Sequence, residues 1–327
     1  MAAMEERVLG RTGRAVSVVG LGTWQLGADW GAVDETSALD VLAAAVEQGV
    51  TLFDTADVYG DGRSEQLIGR FLREHPDSGV FVATKMGRRL AQVPENYVLA
   101  NFRAWNDRSR RNLGVDRLDL VQLHCPPTSV ITGDEVYDAL DTMVAEGRIA
   151  SYGVSVETVA EGLAAVGRPH VASVQIILNA FRRKPLEEFL PAARAAGVGV
   201  LARVPLASGL LSGRYDENTV FDPSDHRSFN RHGEAFDVGE TFSGVDYATG
   251  VAAAREFAAL SDHPARLALR WVIDQPGVTT VIPGARNRAQ AVANAGAAAS
   301  PPLDEATLAA VREIYDQRIR ELVHNRW

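Results

Sequence analysis

Three successive apolar runs of the sequence end in polar side chains that together suit acid catalysis. Asp54 ends one run and Tyr59 follows five positions later, Lys85 ends the next run, and His124 ends the third. Tyrosine is a weak proton donor at neutral pH because its usual pKa is about 10. An ammonium group about 4 Å away, at an effective dielectric constant of about 20, offers about 4 kcal/mol, which predicts a pKa of Tyr59 near 7.

These residue types divide the work of polarising a carbonyl group. Asp54 would keep Lys85 charged and aimed despite partial burial, because an opposite charge favours the ionised form. His124 would hydrogen-bond a substrate oxygen while Tyr59 donates a proton to it. Protonation is productive only if something attacks the carbon, and no nucleophilic serine or cysteine is evident. A hydride from a bound nicotinamide would complete the reaction.

Each of these residues also has an ordinary structural explanation when it is taken alone. An aspartate after a strand is often a turn former or helix cap, and a histidine beside a core strand is often a hydrogen-bonded structural residue. Their presence at three consecutive strand ends favours function over those explanations. Cys125, the only cysteine of the chain, follows His124 and is predicted to point to the opposite face as buried filler.

One repeated pattern in the sequence predicts a fold that would bring these residues together. An apolar run is followed by a polar turn, a segment with helical periodicity and often a glycine before the next run. Near-continuous apolar runs are typical of parallel strands that are buried on both faces. The predicted strands are 16–22, 50–54, 80–85, 118–124, 150–155, 173–178, 198–203 and 279–283.

Eight alternating units predict an α/β fold, namely a (β/α)₈ TIM barrel, whose active site forms at the C-terminal ends of the strands. The alternative is an open doubly wound sheet, which would carry Gly-x-Gly-x-x-Gly after its first strand. Gly20 and Gly22 are followed by Gly27, and this third glycine does not fit that spacing. We therefore expect a single barrel domain over residues 1–327.

Three segments lie outside the eight predicted strand–helix units. Residues 7–15 predict an N-terminal β-hairpin that plugs one end of the barrel. The polar, glycine-containing stretch at about 215–246 predicts a long insertion, which is typical of a lid or binding loop. Residues 303–327 predict one extra C-terminal helix.

Composition excludes several classes of function. A net charge of −9 makes the chain a poor candidate for coating nucleic acid or an anionic membrane. One cysteine cannot form an internal disulfide, which favours a reducing cytoplasm, and no signal peptide or membrane span is evident. No metal-binding motif appears, and the sequence leaves a homo-oligomer open.

The residues now described resemble the aldo-keto reductase superfamily over nearly the whole chain. The segment 53–60, Phe-Asp-Thr-Ala-Asp-Val-Tyr-Gly, looks like the signature around that family's catalytic Asp and Tyr. Residues 83–85 and 122–124 look like the segments of its catalytic Lys and His, and 20–24 is similar to its first-strand motif. The resemblance implies a barrel that reduces aldehydes or ketones to alcohols with NADPH, with Tyr59 as the general acid.

The resemblance also implies residues that contact the cofactor and substrate. Arg286, with Arg288 as a second candidate, would supply charge for a 2′-phosphate, which favours NADP over NAD. Trp24, Trp30, Tyr59 and His124 would shape the substrate pocket. The implied cofactor-binding residues are Thr23, Trp24, Asp54, Ser155, Gln175, Arg203, Val204, Pro205, Leu206, Ala207, Ser208, Arg214, Gly284, Arg286, Gln290 and Asn294.

Two other functions stay open at this point. A lysine at a barrel strand end can form a Schiff base, so Lys85 could serve an aldolase. Some relatives in the superfamily are NADP-dependent regulatory subunits of membrane channels, which predicts cofactor binding with little turnover. If the chain is a reductase, its small-molecule partner would be a carbonyl substrate.

Overall fold

A computed structural model describes residues 4–27 and 33–327, and a curved sheet of parallel strands lies at its centre. Two further strands, β1 (Glu6–Val8) and β2 (Ala15–Ser17), form an antiparallel hairpin ahead of that sheet. Each strand of the sheet is hydrogen-bonded to the next one along the chain. The sheet consists of β3 Leu21–Gly22, β4 Leu52–Asp54, β5 Phe81–Met86, β6 Leu118–His124, β7 Ile149–Ser155, β8 Val171–Ile177, β9 Gly199–Arg203 and β10 Thr280–Val281.

The two edges of the sheet meet and close it into a barrel. Val19 forms a parallel bridge with Val281, and Gly22 forms one with Gly284. The backbone N–H of Gly20 donates to the carbonyl of Val281 over 2.8 Å. Closure and the sequential parallel order confirm the predicted (β/α)₈ barrel and exclude the open doubly wound sheet.

Helices alternate with the strands of the barrel. Asp34 caps the second helix by accepting a hydrogen bond from the backbone N–H of Ser37. No helix in the described parts of the chain is long and apolar enough to cross a membrane. The helices are α1 Trp24–Gly27, α2 Glu35–Glu47, α3 Arg63–Glu74, α4 Leu99–Leu113, α5 Thr128–Thr132, α6 Glu135–Ala145, α7 Val159–Val166, α8 Phe189–Ala196, α9 His226–Phe229, α10 Tyr247–Ala258, α11 Pro264–Ile273, α12 Arg288–Ala295, α13 Glu305–Ile314 and α14 Arg320–Val323.

The hairpin covers the N-terminal end of the barrel, as predicted. Arg11 donates to the carbonyl of Val171 over 2.6 Å. Gly10 has φ +49, and a Cβ there would lie 2.1 Å from the backbone nitrogen of Gly199. Because Val171 and Gly199 begin β8 and β9, the opposite end of the barrel stays open for a site.

Two predicted elements are divided in the structure. The strand expected at 16–22 splits, because Ser17 ends the hairpin and Leu21 begins the barrel strand. The C-terminal helix expected over 303–327 is divided by a π-helical turn, Tyr315–Ile319, between α13 and α14. The Tyr315 hydroxyl and His324 Nδ1 are 2.8 Å apart, so a hydrogen bond joins the π-helical turn to the residue that follows α14.

Candidate active site

Lys85 lies at the centre of the predicted catalytic group. Its Nζ is 2.5 Å from Asp54 Oδ1, 2.9 Å from the carbonyl oxygen of Thr55 and 3.3 Å from Tyr59 Oη. Asp54 pairs with Ala83 across β4 and β5. Side chains alternate along a strand, so Lys85, two residues beyond Ala83, shares its face. The register of two neighbouring strands therefore brings the ammonium and the carboxylate together.

Burial and the neighbouring groups shift the pKa of Lys85 in opposite directions. The residue is 1% exposed. Burial disfavours the ammonium, but the charge and hydrogen bond of Asp54, with a smaller contribution from Tyr59, more than compensate. The pKa of Lys85 is therefore raised above its ordinary value. The side chain remains an ammonium at neutral pH and is a poor nucleophile.

The second oxygen of Asp54 is held by two amides. Gln175 Nε2 donates to Asp54 Oδ2 over 2.7 Å, and Gln122 Nε2 donates to the same oxygen over 3.2 Å. Gln175 is among the residues predicted from the sequence to lie at the site, whereas Gln122 is not. The signal that could have revealed Gln122 is an amide inside an apolar strand, two residues before His124 and therefore on the same face.

Burial dominates the electrostatics of Tyr59. It raises the pKa of the phenol, Lys85 lowers it only in part, and the charges of Asp54 and Glu240 raise it further. The expected direction of the Lys85 effect is correct, but the expected net fall to near 7 is wrong because desolvation is larger. A phenol with a raised pKa is fully protonated at neutral pH and therefore remains able to donate its proton.

Aromatic rings and a tight turn fix the position of Tyr59. The ring of Trp24 stacks on it with centroids 5.9 Å apart, and the ring of His124 approaches edge-on at 5.9 Å. Gly60 has φ +59, and a Cβ there would lie 2.4 Å from the carbonyl oxygen of Gly27. The last residue of α1 therefore packs directly on the turn that carries Tyr59.

His124 is buried and uncharged. Burial, followed by the positive charges of Arg88, Lys85 and Arg203, holds its pKa well below the usual 6.5. The ring is therefore a neutral imidazole at physiological pH. It can hydrogen-bond a substrate oxygen, and its charge does not change near physiological pH.

The predicted site residues surround one cavity of about 660 Å³. Cavities of this size are typical of small-molecule and cofactor sites. The predicted residues on its wall are Thr23, Trp24, Asp54, Tyr59, His124, Ser155, Gln175, Arg203, Val204, Pro205, Leu206, Ser208, Arg214, Gly284, Arg286, Gln290 and Asn294.

Three predicted site residues are not on that wall. Lys85 lies behind the wall, where its Nζ contacts two wall residues, Tyr59 and Asp54. Ala207 is fully buried in the hydrophobic core, so its side chain does not reach the cavity. Its φ of +48 belongs to an irregular turn after β9, whose side-chain directions the sequence does not reveal. Trp30 lies outside the described residues.

Arg203 is held by acidic residues from two other segments. Its Nη2 lies 2.8 Å from Glu157 Oε2, and its Nη1 lies 3.5 Å from Glu240 Oε2. Arg88 also contacts Glu240, over 3.2 Å. Because Glu240 belongs to the predicted insertion, this buried ion-pair group fastens the insertion to the barrel rim.

Cys125 does not point away from the site. Its Sγ is 3.5 Å from Ser155 Oγ and 3.6 Å from Arg203 Nη2. The predicted orientation is wrong because β6 ends at His124 and Cys125 has φ +47, so strand alternation stops there. Burial raises the pKa of Cys125 to about 12, which keeps it an unreactive thiol.

Three exposed arginines mark the far end of the cavity: Arg214, Arg266 and Arg286. None of their guanidinium groups forms an ion pair or a hydrogen bond with another described residue, although the backbone N–H of Arg286 donates to Gln290 Oε1. Arg288, the second candidate for phosphate recognition, is instead paired with Asp40 and Glu47 on α2. Arg288 therefore does not line the cavity beside Arg286, whereas Arg266, which is not among the residues singled out from the sequence, does.

The insertion also contributes to the cavity wall. Tyr215, Arg227 and Glu240 line it together with barrel residues. The ring of Trp24 lies 4.8 Å from that of His226 and 5.8 Å from that of Phe236. The insertion therefore closes one side of the space in front of Tyr59.

Comparisons with known proteins agree with this arrangement. Residues 18–316 match the family model described as Aldo/keto reductase family. Aldo-keto reductase YhdN of Bacillus subtilis is 30% identical over 293 residues, which are 88% of this chain and 86% of that protein.

Two solved structures have the same fold. A glycerol dehydrogenase from Gluconobacter oxydans superimposes with a TM-score of 0.77 at 30% identity, covering 100% of this chain and 98% of that chain. An aldo/keto reductase from Klebsiella pneumoniae, solved in complex with NADP and acetate, gives a TM-score of 0.72 at 26% identity, with 98% and 99% covered. This chain belongs to the aldo/keto reductase family of oxidoreductases.

Proposed function

We propose that this chain catalyses the reversible, NADPH-dependent reduction of an aldehyde or ketone to the alcohol. The observation that carries the proposal is the position of Lys85 Nζ, 2.5 Å from Asp54 Oδ1 and 3.3 Å from Tyr59 Oη, directly behind the cavity wall. An ammonium held there stabilises the negative charge that develops on the phenol oxygen as its proton leaves.

The residues on the cavity wall fit NADP(H). Arg214, Arg266 and Arg286 offer unpaired positive charge at one end, which suits the phosphates of a dinucleotide. Ser155 and Gln175 offer a hydroxyl and an amide near Tyr59 at the other end, which suits a carboxamide. The Klebsiella relative solved with NADP supports the same cofactor. When bound, the cofactor would supply the hydride.

The chain's own residues would handle the proton. Tyr59 is protonated at neutral pH, since burial raises its pKa, and it lines the cavity. His124, a neutral imidazole, would orient the carbonyl oxygen beside it. Lys85 would stabilise the tyrosinate, and Asp54 would keep Lys85 charged. Trp24 and the insertion residue Glu240 would bound the substrate space.

Two alternatives have less support. An aldolase needs a neutral amine at the cavity, but Lys85 is an ammonium with a raised pKa and does not line the wall. A regulatory subunit needs the cofactor cavity but no proton donor. This chain has the proton donor Tyr59 together with Asp54, Lys85 and His124.

The test is a turnover assay with NADPH, and separately with NADH, on a panel of aldehydes and ketones. We expect one alcohol formed for each NADPH consumed, and tighter binding of NADPH than of NADH by tryptophan fluorescence. Tight NADPH binding with no alcohol from any compound would contradict the proposal and favour a regulatory subunit. Trapping of a carbonyl compound on Lys85 by borohydride, in the absence of NADPH, would favour the aldolase.

A further inference from the structure

Asp54 is surrounded by donors on both of its oxygens. Lys85 occupies Oδ1, while Gln122 and Gln175 share Oδ2 at 3.2 and 2.7 Å. The two glutamines are 0% and 1% exposed. A carboxylate that receives fixed donors on one oxygen cannot rotate freely, so the opposite oxygen stays turned toward the ammonium.

The two glutamines differ in what else they touch. Gln175 lines the cavity, whereas Gln122 lies deeper in the barrel and does not. The amide of Gln175 also lies 3.4 Å from Gln122 Oε1. A short chain of amides therefore runs from the cavity wall to the carboxylate that neutralises Lys85.

We infer that Gln122 and Gln175 are positioning residues that hold Asp54 against Lys85, and that Gln175 couples occupancy of the cavity to this pair. The inference deepens the proposed function and rests on it only for the measurement of rate. Gln175 lies both on the cavity wall and beside Asp54, so a change there alters ligand binding directly and also alters the protonation of Lys85. A change at Gln122 alters the protonation of Lys85 and, because coupling is reciprocal, reaches ligand binding only through Asp54 and Gln175.

The groups that face Lys85 set the direction of the effect. Asp54 from β4 stabilises the ammonium, Tyr59 from the following turn adds to it, and burial opposes it. His124 from β6 is neutral. If Asp54 loses the donors on Oδ2, its carboxylate can turn away and burial of Lys85 is less well compensated. The pKa of Lys85 then falls.

The sequence offers a direct probe, because Lys85 and Lys184 are its two lysines. In a chain labelled with ¹⁵N-lysine, the Nζ signal of Lys85 can be followed through a pH titration, with Lys184 as an internal reference. Gln122→Met and Gln175→Met retain volume but remove the amide. Gln275→Met is the matched control, because Gln275 donates to the carbonyl of Trp271, outside the Asp54 group.

We expect Lys85 to lose its proton at lower pH in Gln122→Met and Gln175→Met, while Lys184 and the Gln275→Met chain are unchanged. With NADPH and an aldehyde, kcat should fall about threefold to tenfold with little change in KM, and the alkaline loss of activity should begin at lower pH. NADPH affinity should weaken in Gln175→Met and by a smaller factor in Gln122→Met, and saturating NADPH should shift the Lys85 titration in the parent chain but not in Gln175→Met.

A Lys85 titration that is unchanged in Gln122→Met, even if thermal stability falls, would overturn the positioning role. A Lys85 titration that saturating NADPH shifts equally in the parent chain and in Gln175→Met would overturn the coupling to the cavity. The NMR and binding measurements need no turnover. Failure of the proposed function, seen as an inactive parent chain, is therefore distinguishable from failure of this inference.

Discussion

The two ends of the cavity compensate their positive charges in different ways. At the reactive end, Lys85 is enclosed by Asp54, the Thr55 carbonyl and Tyr59, all contributed by the chain itself. At the far end, Arg214 and Arg286 are exposed and have no acidic partner among the described residues.

The difference follows from the cost of burying charge. A buried ammonium without a partner would shift its pKa and neutralise, so a group that must stay charged needs a built-in carboxylate. An exposed guanidinium is solvated by water and needs none until a ligand displaces that water. The reactive end is therefore preorganised, whereas the far end is suited to receive an anionic ligand.

The largest effect is expected where the built-in compensation is removed. Lys85→Met should lower turnover about a thousandfold, because the tyrosinate loses its stabilising ammonium. The double variant Asp54→Asn with Lys85→Met leaves no uncompensated charge and should be equally inactive while it folds and binds NADPH. Lys184→Met is the control and should keep full activity. Full activity in the Lys85→Met chain would show that the reactive end does not need a built-in, compensated ammonium.

A smaller effect is expected at the far end. Arg286→Met should weaken NADPH binding about tenfold to a hundredfold, since a charge-assisted contact to phosphate is lost, and should leave NADH binding nearly unchanged. The matched control is Arg288→Met, two residues away, whose guanidinium is already paired with Asp40 and Glu47. Titration by tryptophan fluorescence would decide, and equal losses in both variants would contradict the assignment.

The reactive end itself contains an instructive contrast between Asp54 and Asp57. Neither carboxyl oxygen of Asp57 has a hydrogen-bond partner among the described residues, although its side chain is fully buried. Burial, with the nearby charge of Glu65, raises the pKa of Asp57 to about 7 from an ordinary 3.8. The folded chain therefore binds this proton more tightly than the unfolded chain, and the free energy of unfolding falls as pH rises between those values.

Asp57→Asn should remove this pH dependence. The gain in the free energy of unfolding over the parent chain should be about 3 kcal/mol larger at about pH 8 than at about pH 5, because each pH unit between about 5 and about 7 changes the parent's stability by about 1.4 kcal/mol. Urea unfolding at the two pH values measures the difference. Asp61→Asn is the control: Asp61 is exposed, and Arg89 and Arg108 lower its pKa, so the slope over this range should not change. A gain that is equal at both pH values would refute the raised pKa of Asp57.

The sequence predicts the reactive end far better than the far end, for a structural reason. Asp54 and His124 are the last residues of their β-strands and Lys85 is the last but one of β5, and strand register and side-chain alternation place all three. Arg266, by contrast, reaches the cavity from the first turn of α11, and Arg288 turns toward α2, which no local pattern reveals.

Deviations from regular backbone account for most of the other differences. Cys125 and Ala207 have positive φ, so alternation fails at both positions. The role of Gln122 could not be read from one chain, because an amide in a strand has many uses. The pKa of Tyr59 also depends on how deeply the phenol is buried, which cannot be predicted from the spacing of residues in the sequence.

The measurement that tests the account most directly is a paired assay of Tyr59→Phe, with NADPH binding followed by tryptophan fluorescence and alcohol formation followed with an aldehyde that the parent chain reduces. Loss of the phenol oxygen should lower turnover by about a thousandfold or more and leave the NADPH dissociation constant nearly unchanged. Turnover close to that of the parent chain, with NADPH still bound, would contradict the role of Tyr59 as the proton donor.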